Sequence, residues 1–215
     1  MKPLIVTGTD TGIGKSVVAS MLTLGLDAIY WKPIQAGTEE VTDTERVAQM
    51  TKLGPDRFRR ERYVLKNPLS PHRAAELERI SIDKNELILP DDIPAQQTLI
   101  IEGAGGVLVP ITRKILQADL FAHWAAPVIL CARTALGTIN HSLLSIEALR
   151  TRGVEILGII FVGHEMTDTE RTIVEMGKIK RLGRLPVLSE CNPTTLRTAF
   201  AEKFCKEDFG FDYGA

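Results

Sequence analysis

The sequence predicts an α/β fold in which a parallel sheet carries helices on both faces. Short apolar runs alternate along the chain with longer stretches of helical periodicity. The runs are apolar at successive positions, which is typical of strands buried on both faces, and such strands form parallel sheets covered by right-handed crossover helices. Ligands are then expected beyond the carboxyl ends of the strands.

The elements follow one another without repeats, low-complexity tracts or linkers, so we expect one domain over residues 1–215. The apolar runs predict strands at 3–8, 27–33, 97–106, 127–133, 154–163 and 184–188. Helical spacing, in one case behind an acidic first turn that suits the helix dipole, predicts helices at 14–26, 42–53, 72–78, 139–152 and 168–178. Prolines interrupt the stretch 55–97, which we expect to be less regular.

The composition is that of a globular protein without a polyanion-binding surface. Of the 215 residues, 44% are apolar and 25% are charged, the formal net charge is -1 and the isoelectric point is about 6.4. Nucleic acid and membrane surfaces are therefore not expected as partners. Three cysteines without CxxC spacing indicate reduced thiols. No apolar stretch approaches a membrane span and the early first strand leaves no room for a signal peptide, so we expect a cytoplasmic protein.

Residues 8–16, GTDTGIGKS, have the features of a phosphate-binding loop with an altered entry. The common pattern places four residues between its first glycine and Gly-Lys-Ser/Thr, whereas five residues separate Gly8 from Gly14. The glycines Gly12 and Gly14 permit backbone amides to point at a phosphate, Lys15 supplies a cation, and Ser16 supplies a hydroxyl for Mg²⁺. A chance strand–turn–helix is the alternative, but the strand before and the helix after the loop favour a nucleotide site.

Two acidic residues and a lysine are expected at the same edge of the sheet. Glu102 ends the apolar run TLIIE immediately before a glycine-rich loop, and Mg²⁺ prefers such oxygen ligands. Asp43 lies at the start of a predicted helix. It is a second candidate ligand, but an acidic residue in a first helical turn is also common simply because it stabilises the helix start. Lys32 follows a buried strand and precedes Pro33. It is either a snorkelling surface residue or a second positive charge for phosphoryl transfer.

Together these motifs resemble those of the dethiobiotin synthetase family. The matching segments are GTDTGIGKS, WKPIQAG, TD at 42–43, SPH at 70–72, IEGAGG and TALGTINHS. They fall in the family's order and spacing between residue 4 and about residue 190. Five residues between the loop glycines is this family's own form of the phosphate loop. KPIQAG and EGAGG together are specific to the family, whereas either motif alone is moderately specific.

The resemblance implies a P-loop NTPase-like homodimer with about seven parallel strands per subunit and active sites near the subunit interface. It implies that one amine of 7,8-diaminopelargonic acid takes up CO₂ as a carbamate, which accepts the γ-phosphoryl group of ATP in the presence of Mg²⁺. The second amine then attacks the mixed anhydride and closes the cyclic urea of dethiobiotin. Such chemistry needs positioning and fixed positive charge more than a protein nucleophile.

The resemblance also implies roles for individual residues. Lys15, spanning the β- and γ-phosphates, and Lys32, near the carbamate, would be catalytic, and Mg²⁺ would be held by Ser16, Asp43 and Glu102. The nucleotide would contact Asp10, Thr11, Gly12, Ile13, Gly14, Lys15, Ser16, Glu102, Gly103, Ala104, Gly105, Gly106, Pro186, Val187 and Leu188. The diamine would contact Lys32, Gln35 and Ala36 and, at a helix start of the neighbouring subunit that suits its carboxylate, Leu136, Gly137, Thr138, Ile139 and Asn140.

The sequence departs from the family pattern at both ligand sites. Gly12 stands where some members have Glu, and Ala36 stands where some have a hydroxyl residue, which removes a hydrogen bond worth about 1 kcal/mol. Many members place an asparagine after the fifth strand to contact adenine, whereas Val162 and Gly163 occupy that region here. We therefore expect a looser choice of nucleotide than strict ATP.

Two other functions stay open on the sequence. A partitioning-type ATPase switch shares the sheet and a related loop, but such proteins resemble one another in an extra lysine early in the loop, and none lies between Thr7 and Gly14. A small-molecule kinase usually carries an arginine-rich lid. The run FRRER at 58–62 imitates such a lid only weakly and is more simply a solvated face.

Overall fold

The computed structural model describes residues 2–210, and a seven-stranded sheet lies at its centre. Met1 and residues 211–215, which the one-domain prediction includes, lie outside the described residues. The strands in chain order are β1 (Lys2–Gly8), β2 (Ile29–Trp31), β3 (Ile34–Ala36), β4 (Phe58–Arg59), β5 (Tyr63–Leu65), β6 (Thr98–Gly106), β7 (Val128–Arg133), β8 (Ile156–Val162) and β9 (Arg181–Leu185). The central sheet has the order β4-β2-β6-β1-β7-β8-β9, and β3 pairs with β5 in a separate two-stranded sheet.

Every strand pair that the structure describes is parallel, so the carboxyl ends of the strands meet at one edge. β1 lies between β6 and β7. Its register places Val6 beside Glu102 and Gly8 beside both Gly106 and Cys131. The end of β1, where the predicted phosphate loop begins, is therefore flanked by the end of β6.

Helices cover both faces of the sheet. They are α1 (Lys15–Gly25), α2 (Asp43–Thr51), α3 (Pro71–Glu78), α4 (Gln117–Trp124), α5 (Thr138–Arg150), α6 (Thr167–Gly177) and α7 (Pro193–Lys203). Buried residues of α1, α2 and α7 belong to the apolar core on one face, and those of α3 to α6 belong to the core on the other. Among residues 2–210, each helix is too short or too polar to cross a membrane.

Strand residues alternate between the two cores. In β1, Ile5 enters the core beneath α3 to α6, whereas Leu4 and Val6 enter the core beneath α1, α2 and α7. In β6, Ile101 enters the core beneath α3 to α6, and Ile100 enters the core beneath α1, α2 and α7. Because side chains point alternately to opposite faces of a strand, a run that is apolar at successive positions has both faces buried. The predicted α/β class with a parallel sheet of about seven strands and helices on both faces is confirmed.

Several short elements were not predicted. The predicted strand 27–33 is limited to β2 and followed by β3, because Lys32 and Pro33 interrupt the pairing. Strands β3, β4 and β5 have three residues or fewer, too few for a periodic signal. Helices α4 and α7 also lacked a clear pattern in the sequence.

The last strand lies earlier than predicted. It spans Arg181–Leu185 and not 184–188, and Pro186 follows it. The beginning of β9 was not predicted because it contains Arg181 and Arg184, and charged residues are rare in buried strands. Their charges are matched by Glu170 of α6: Arg181 Nη2 lies 2.8 Å from Glu170 Oε2, and Arg184 Nε lies 3.0 Å from Glu170 Oε1.

The contact between α1 and α7 gives a stability prediction. A Cβ atom added at Gly25 would lie 2.4–2.6 Å from three ring atoms of Phe200. Gly25→Ala should lower the free energy of unfolding by up to about 2 kcal/mol, because the overpacking cost of about 1–3 kcal/mol outweighs the gain of roughly 1 kcal/mol in helix propensity. Urea denaturation would measure it.

Phe200→Leu provides the control for this contact. In the double variant, the smaller leucine side chain should relieve the clash. The double variant should therefore lose less free energy of unfolding than the sum of the losses in the two single variants. Additive losses, or a more stable Gly25→Ala protein, would show that the contact between these helices is not tight.

Candidate active site at the carboxyl edge of the sheet

The predicted phosphate loop joins β1 to α1 at the carboxyl edge. Gly12 and Gly14 have φ values of 71° and 93°, in the region that favours glycine, and Gly14 is the residue that precedes α1. The Lys15 ammonium donates to the Asp10 carbonyl oxygen at 2.8 Å, so it folds back over the loop. This arrangement presents a helix start and a buried cation at one point, as a phosphate requires.

The loop packs tightly against neighbouring parts of the same edge. A Cβ atom added at Gly8 would lie 2.2 Å from Ile13 Cδ1, and one added at Gly14 would lie 3.0 Å from Val162 Cγ1 at the end of β8. The backbone of Gly106 lies beside the loop as well, because its added Cβ atom would come 3.5 Å from the Thr9 carbonyl oxygen. The ends of β6 and β8 therefore border the phosphate loop.

Lys32 lies between the two predicted carboxylates. Its Nζ atom is 2.7 Å from Asp43 Oδ2 and 3.2 Å from Glu102 Oε1, and it also donates to the Gly103 carbonyl oxygen at 3.1 Å. The side chains of Lys32 and Glu102 are 4% and 1% exposed. Lys32 is therefore a buried, fully paired cation and not a snorkelling surface residue.

The Ser16 hydroxyl completes this cluster. Its Oγ atom lies 2.9 Å from Glu102 Oε1 and 3.3 Å from Asp43 Oδ1. The second carboxylate oxygen of Glu102 accepts a hydrogen bond from the buried Tyr30 hydroxyl at 3.0 Å. We refer to Ser16, Tyr30, Lys32, Asp43 and Glu102 as the acid–lysine cluster. Tyr30 was not predicted, because a tyrosine in an apolar run is ordinarily read as core.

Burial and charge shift the acidity of these groups in opposing ways. Burial and the nearby charge of Lys32 lower the pKa of Lys15. Burial also acts to lower the pKa of Lys32, but the charges of Glu102 and Asp43 more than offset it, so this pKa lies above its ordinary value. Burial acts to raise the pKa of Asp43, but Lys32 and the Ser16 hydroxyl lower it overall. At neutral pH the cluster therefore holds a lysine cation against an Asp43 carboxylate.

The acid–lysine cluster has donors that suit Mg²⁺. Ser16, Asp43 and Glu102 present oxygen atoms around one point, and Mg²⁺ binds oxygen ligands while keeping several waters. The residues therefore fit the ion. Among residues 2–210 there is no group of three or more histidine, cysteine, aspartate or glutamate side chains suited to a metal, which leaves this mixed hydroxyl and carboxylate set as the candidate.

A cavity of about 690 Å³ opens beside the cluster. Thr11 of the phosphate loop, Lys32 and Asp43 lie on its wall, so it meets both the phosphate loop and the ion pair. The other lining residues are Ile34, Gln35, Ala36, Gly37, Glu39, Glu40, Val41, Arg46, Pro68, Leu69, Ser70, Pro71, Ala104, Gly105 and Val109. Residues 39–41 and 68–71 were not predicted as lining residues; only the SPH motif hinted at the second segment.

Other predicted residues fall into three groups. Gln35, Ala36, Ala104 and Gly105 line the cavity beside the cluster. A second group lies at the start of α5, which no side chain caps, and does not line that cavity: Leu136, Gly137, Thr138, Ile139 and Asn140. Pro186, Val187 and Leu188 follow β9, beside β8.

Solved structures share the fold at low sequence identity. The ParA family ATPase from Chlorobium tepidum has a TM-score of 0.54 and 9% identity, with 93% of this chain and 92% of that chain covered. The MinC:MinD cell division complex of Aquifex aeolicus has a TM-score of 0.50 and 11% identity, with 93% and 86% covered. This likeness shows the fold and nothing about activity.

Sequence relatives are much more similar. An AAA domain family profile matches residues 2–195. The ATP-dependent dethiobiotin synthetase BioD of Nitrobacter hamburgensis is 54% identical over 206 residues, which cover 96% of each chain. Proteins of the same name from Agrobacterium fabrum and Brucella melitensis biotype 1 are 52% and 51% identical, over 95% and 96% of each chain. The chain therefore belongs to the ATP-dependent dethiobiotin synthetase family.

Proposed function

We propose that this protein forms dethiobiotin from 7,8-diaminopelargonic acid, CO₂ and ATP, as an ATP-dependent ligase of biotin biosynthesis. One observation carries the proposal beyond family membership. The buried Lys32 cation, paired with Asp43 and Glu102, lies on the wall of a cavity that also reaches Thr11 of the phosphate loop. A substrate in this cavity would meet a fixed positive charge next to the terminal phosphate of a bound nucleotide.

The reaction proceeds in three balanced steps. A neutral amine adds to CO₂ and loses a proton, giving a carbamate. A carbamate oxygen takes the γ-phosphoryl group of ATP, and ADP leaves. The second amine attacks the carbonyl carbon of this mixed anhydride, phosphate leaves, and a proton is lost as the cyclic urea closes.

Two lysines supply the positive charge for the phosphoryl step. Lys15, whose ammonium now binds the Asp10 carbonyl oxygen, would turn to the β- and γ-phosphates. Lys32 would remain at its place in the cluster and stabilise charge on the carbamate and the transferred group. Because the carboxylates hold Lys32 in advance, little reorganisation is needed during the reaction.

The nucleotide is proposed to bind at the phosphate loop, with Mg²⁺ beside it in the acid–lysine cluster. Backbone groups of 10–16 and 103–106 would hold the phosphates, and residues 186–188 would contact the base. Ser16, Asp43 and Glu102 would hold Mg²⁺, which when bound neutralises phosphate charge. The distance from Gly14 to Val162 places the β8 end close to the loop, where the base side of the site is expected.

We propose a homodimer in which α5 of one subunit completes the site of the other. The uncapped start of α5, residues 136–140, would bind the carboxylate of the diamine through backbone amides. Leu136 is fully exposed there, and Leu108 and Leu144 are about half exposed, so a second subunit would cover apolar surface. Cytoplasmic location, a single domain over 1–215 and independence from nucleic acid and membranes are part of the same proposal.

A product assay tests the reaction and Lys32 together. With 7,8-diaminopelargonic acid, bicarbonate, Mg²⁺ and ATP, the protein should give dethiobiotin and ADP by mass spectrometry. Lys32→Met should lower turnover by about 10²–10³-fold, because a fixed charge in the transition state is lost. Lys203→Met, at the exposed end of α7, is the matched control and should keep full activity.

Circular dichroism must accompany this comparison. Removing Lys32 leaves the buried Glu102 carboxylate and the partly exposed Asp43 carboxylate without their cation, which costs up to about 3–5 kcal/mol of stability. The assay is therefore run well below the unfolding temperature. ATP hydrolysis by the unaltered protein without any dethiobiotin would contradict the proposed function while leaving the nucleotide loop intact.

Loss of one proposed Mg²⁺ ligand should change the metal requirement. Ser16→Ala and Asp43→Asn should each raise the Mg²⁺ concentration for half-maximal activity at least about tenfold, since even outer contacts to a metal site are worth this much. Ser189→Ala, an exposed hydroxyl far along the chain from the cluster, should not. Unchanged Mg²⁺ dependence in both ligand variants would remove these residues from the metal site.

Base selectivity gives a further prediction. Because Val162 and Gly163 offer no side-chain amide, kcat/KM for ATP should exceed that for GTP and CTP by less than about 100-fold, or some 2.7 kcal/mol. Val162→Asn should increase the preference for ATP about tenfold by adding one hydrogen bond to the base, whereas Val162→Ala should not. Subsaturating turnover with each nucleotide measures the ratio, and a preference above 100-fold in the unaltered protein would disprove the loose choice.

A further inference from the structure

Gln35 on β3 has a side-chain amide that the protein already uses. The residue is 6% exposed. Its Oε1 atom accepts a hydrogen bond from the Asp43 backbone N–H at 3.2 Å, and its Nε2 atom donates to the carbonyl oxygens of Gly37 at 2.9 Å and Ala36 at 3.3 Å. A glutamine amide has two N–H donors, so both are engaged and neither is left for a substrate.

These bonds join the two ends of one cavity wall. Residues 37–43 run from the end of β3 to the start of α2, and five of them line the cavity: Gly37, Glu39, Glu40, Val41 and Asp43. The middle of this segment, residues 39–41, is exposed. Gln35 bonds to Gly37 at one end and to Asp43 at the other, so its amide ties the two ends together. In the exposed middle, Arg46 contacts the Glu40 carboxylate at 3.3 Å and the Val41 carbonyl oxygen at 3.4 Å.

The contact with Asp43 meets a specific need at the start of α2. The first N–H groups of a helix have no acceptor within the helix. Thr42 and Glu45 satisfy each other's backbone N–H groups in a capping box, at 2.8 Å and 3.3 Å. The N–H of Asp43 is not part of that exchange, and Gln35 supplies its acceptor.

Asp43 in turn is the more exposed of the two carboxylates in the acid–lysine cluster. Its side chain is 29% exposed, whereas those of Lys32 and Glu102 are almost fully buried. Its contacts to Lys32 at 2.7 Å and Ser16 at 3.3 Å depend on where the first turn of α2 lies. A displacement of this turn would therefore lengthen both contacts.

We propose that Gln35 is a positioning residue that holds the Asp43 backbone so that the Asp43 carboxylate stays in the cluster. The inference rests on the proposed function, because it takes Asp43 as a Mg²⁺ ligand. It differs from the direct substrate contact that the family resemblance implies for Gln35. Direct contact would affect the diamine, whereas positioning would affect the cation.

Gln35→Met tests the proposal, because methionine keeps the length of the side chain without its hydrogen bonds. Mn²⁺ binding to the protein with saturating ADP, followed by electron paramagnetic resonance, should weaken about tenfold, as for other outer contacts to metal sites. The KM for 7,8-diaminopelargonic acid should change less than about threefold. Hydrogen exchange of the Asp43 amide should become faster. Gln97→Met makes the same change at a glutamine whose Nε2 donates to the Asp27 carbonyl oxygen at 3.5 Å. It is the matched control and should alter none of these.

Gln35→Glu separates the acceptor from general damage to the fold. A glutamate can still accept from the Asp43 N–H but cannot donate to Gly37. Mn²⁺ affinity should stay within about threefold of the unaltered protein or increase, and the Asp43 amide should stay protected. Equal loss of Mn²⁺ affinity in both variants would overturn the proposal. So would unchanged Mn²⁺ affinity in Gln35→Met combined with a raised KM for the diamine.

The Mn²⁺ and hydrogen-exchange measurements need no turnover. If the unaltered protein binds Mn²⁺ with ADP but forms no dethiobiotin, the proposed reaction fails on its own. The positioning role of Gln35 would still be supported or overturned by its effect on Mn²⁺ affinity and on the Asp43 amide.

Discussion

The candidate site depends on one interaction, the buried Lys32 ammonium between the carboxylates of Glu102 and Asp43. Moving a charge from water into a protein costs several kcal/mol, which is tolerated only when partners with good geometry compensate it. The two carboxylates and the Gly103 carbonyl oxygen are the partners of Lys32. The Ser16 and Tyr30 hydroxyls in turn donate to the Glu102 carboxylate. Without the lysine, two acids beside one hydroxyl would repel each other, and the pKa of one would rise.

The fold delivers these groups from four different elements. Glu102 comes from β6, Lys32 follows β2, Ser16 lies in the first turn of α1, and Asp43 begins α2. All four positions are at the carboxyl edge because the paired strands are parallel and β6 lies between β1 and β2. The same topology brings Thr11 of the phosphate loop to the cavity wall, so the proposed nucleotide and substrate sites would share one boundary.

The outer parts of the site are less enclosed than its centre. The cavity wall formed by residues 37–43 has an exposed middle, and Gln35 bonds to both of its ends. The start of α5 does not line the cavity of its own chain. A fully paired, buried centre beside a more exposed wall is consistent with a reaction that needs three reactants held together in turn.

Much of this could be predicted from the sequence. The apolar runs gave the class of sheet, GTDTGIGKS gave the phosphate loop, and Glu102 stood out because an acid ended an apolar run. These features are local, so a single stretch of residues is enough to reveal them. The short strands β3, β4 and β5, the arginines of β9 and the hydroxyl of Tyr30 were not predictable, because their conformation or burial depends on residues far away in the chain. The sequence alone thus determined that a nucleotide loop and a buried sheet exist. Only the tertiary structure decided that Lys32 is a paired cation and not a surface residue, because the carboxylates that compensate its burial lie 11 and 70 positions further along the chain.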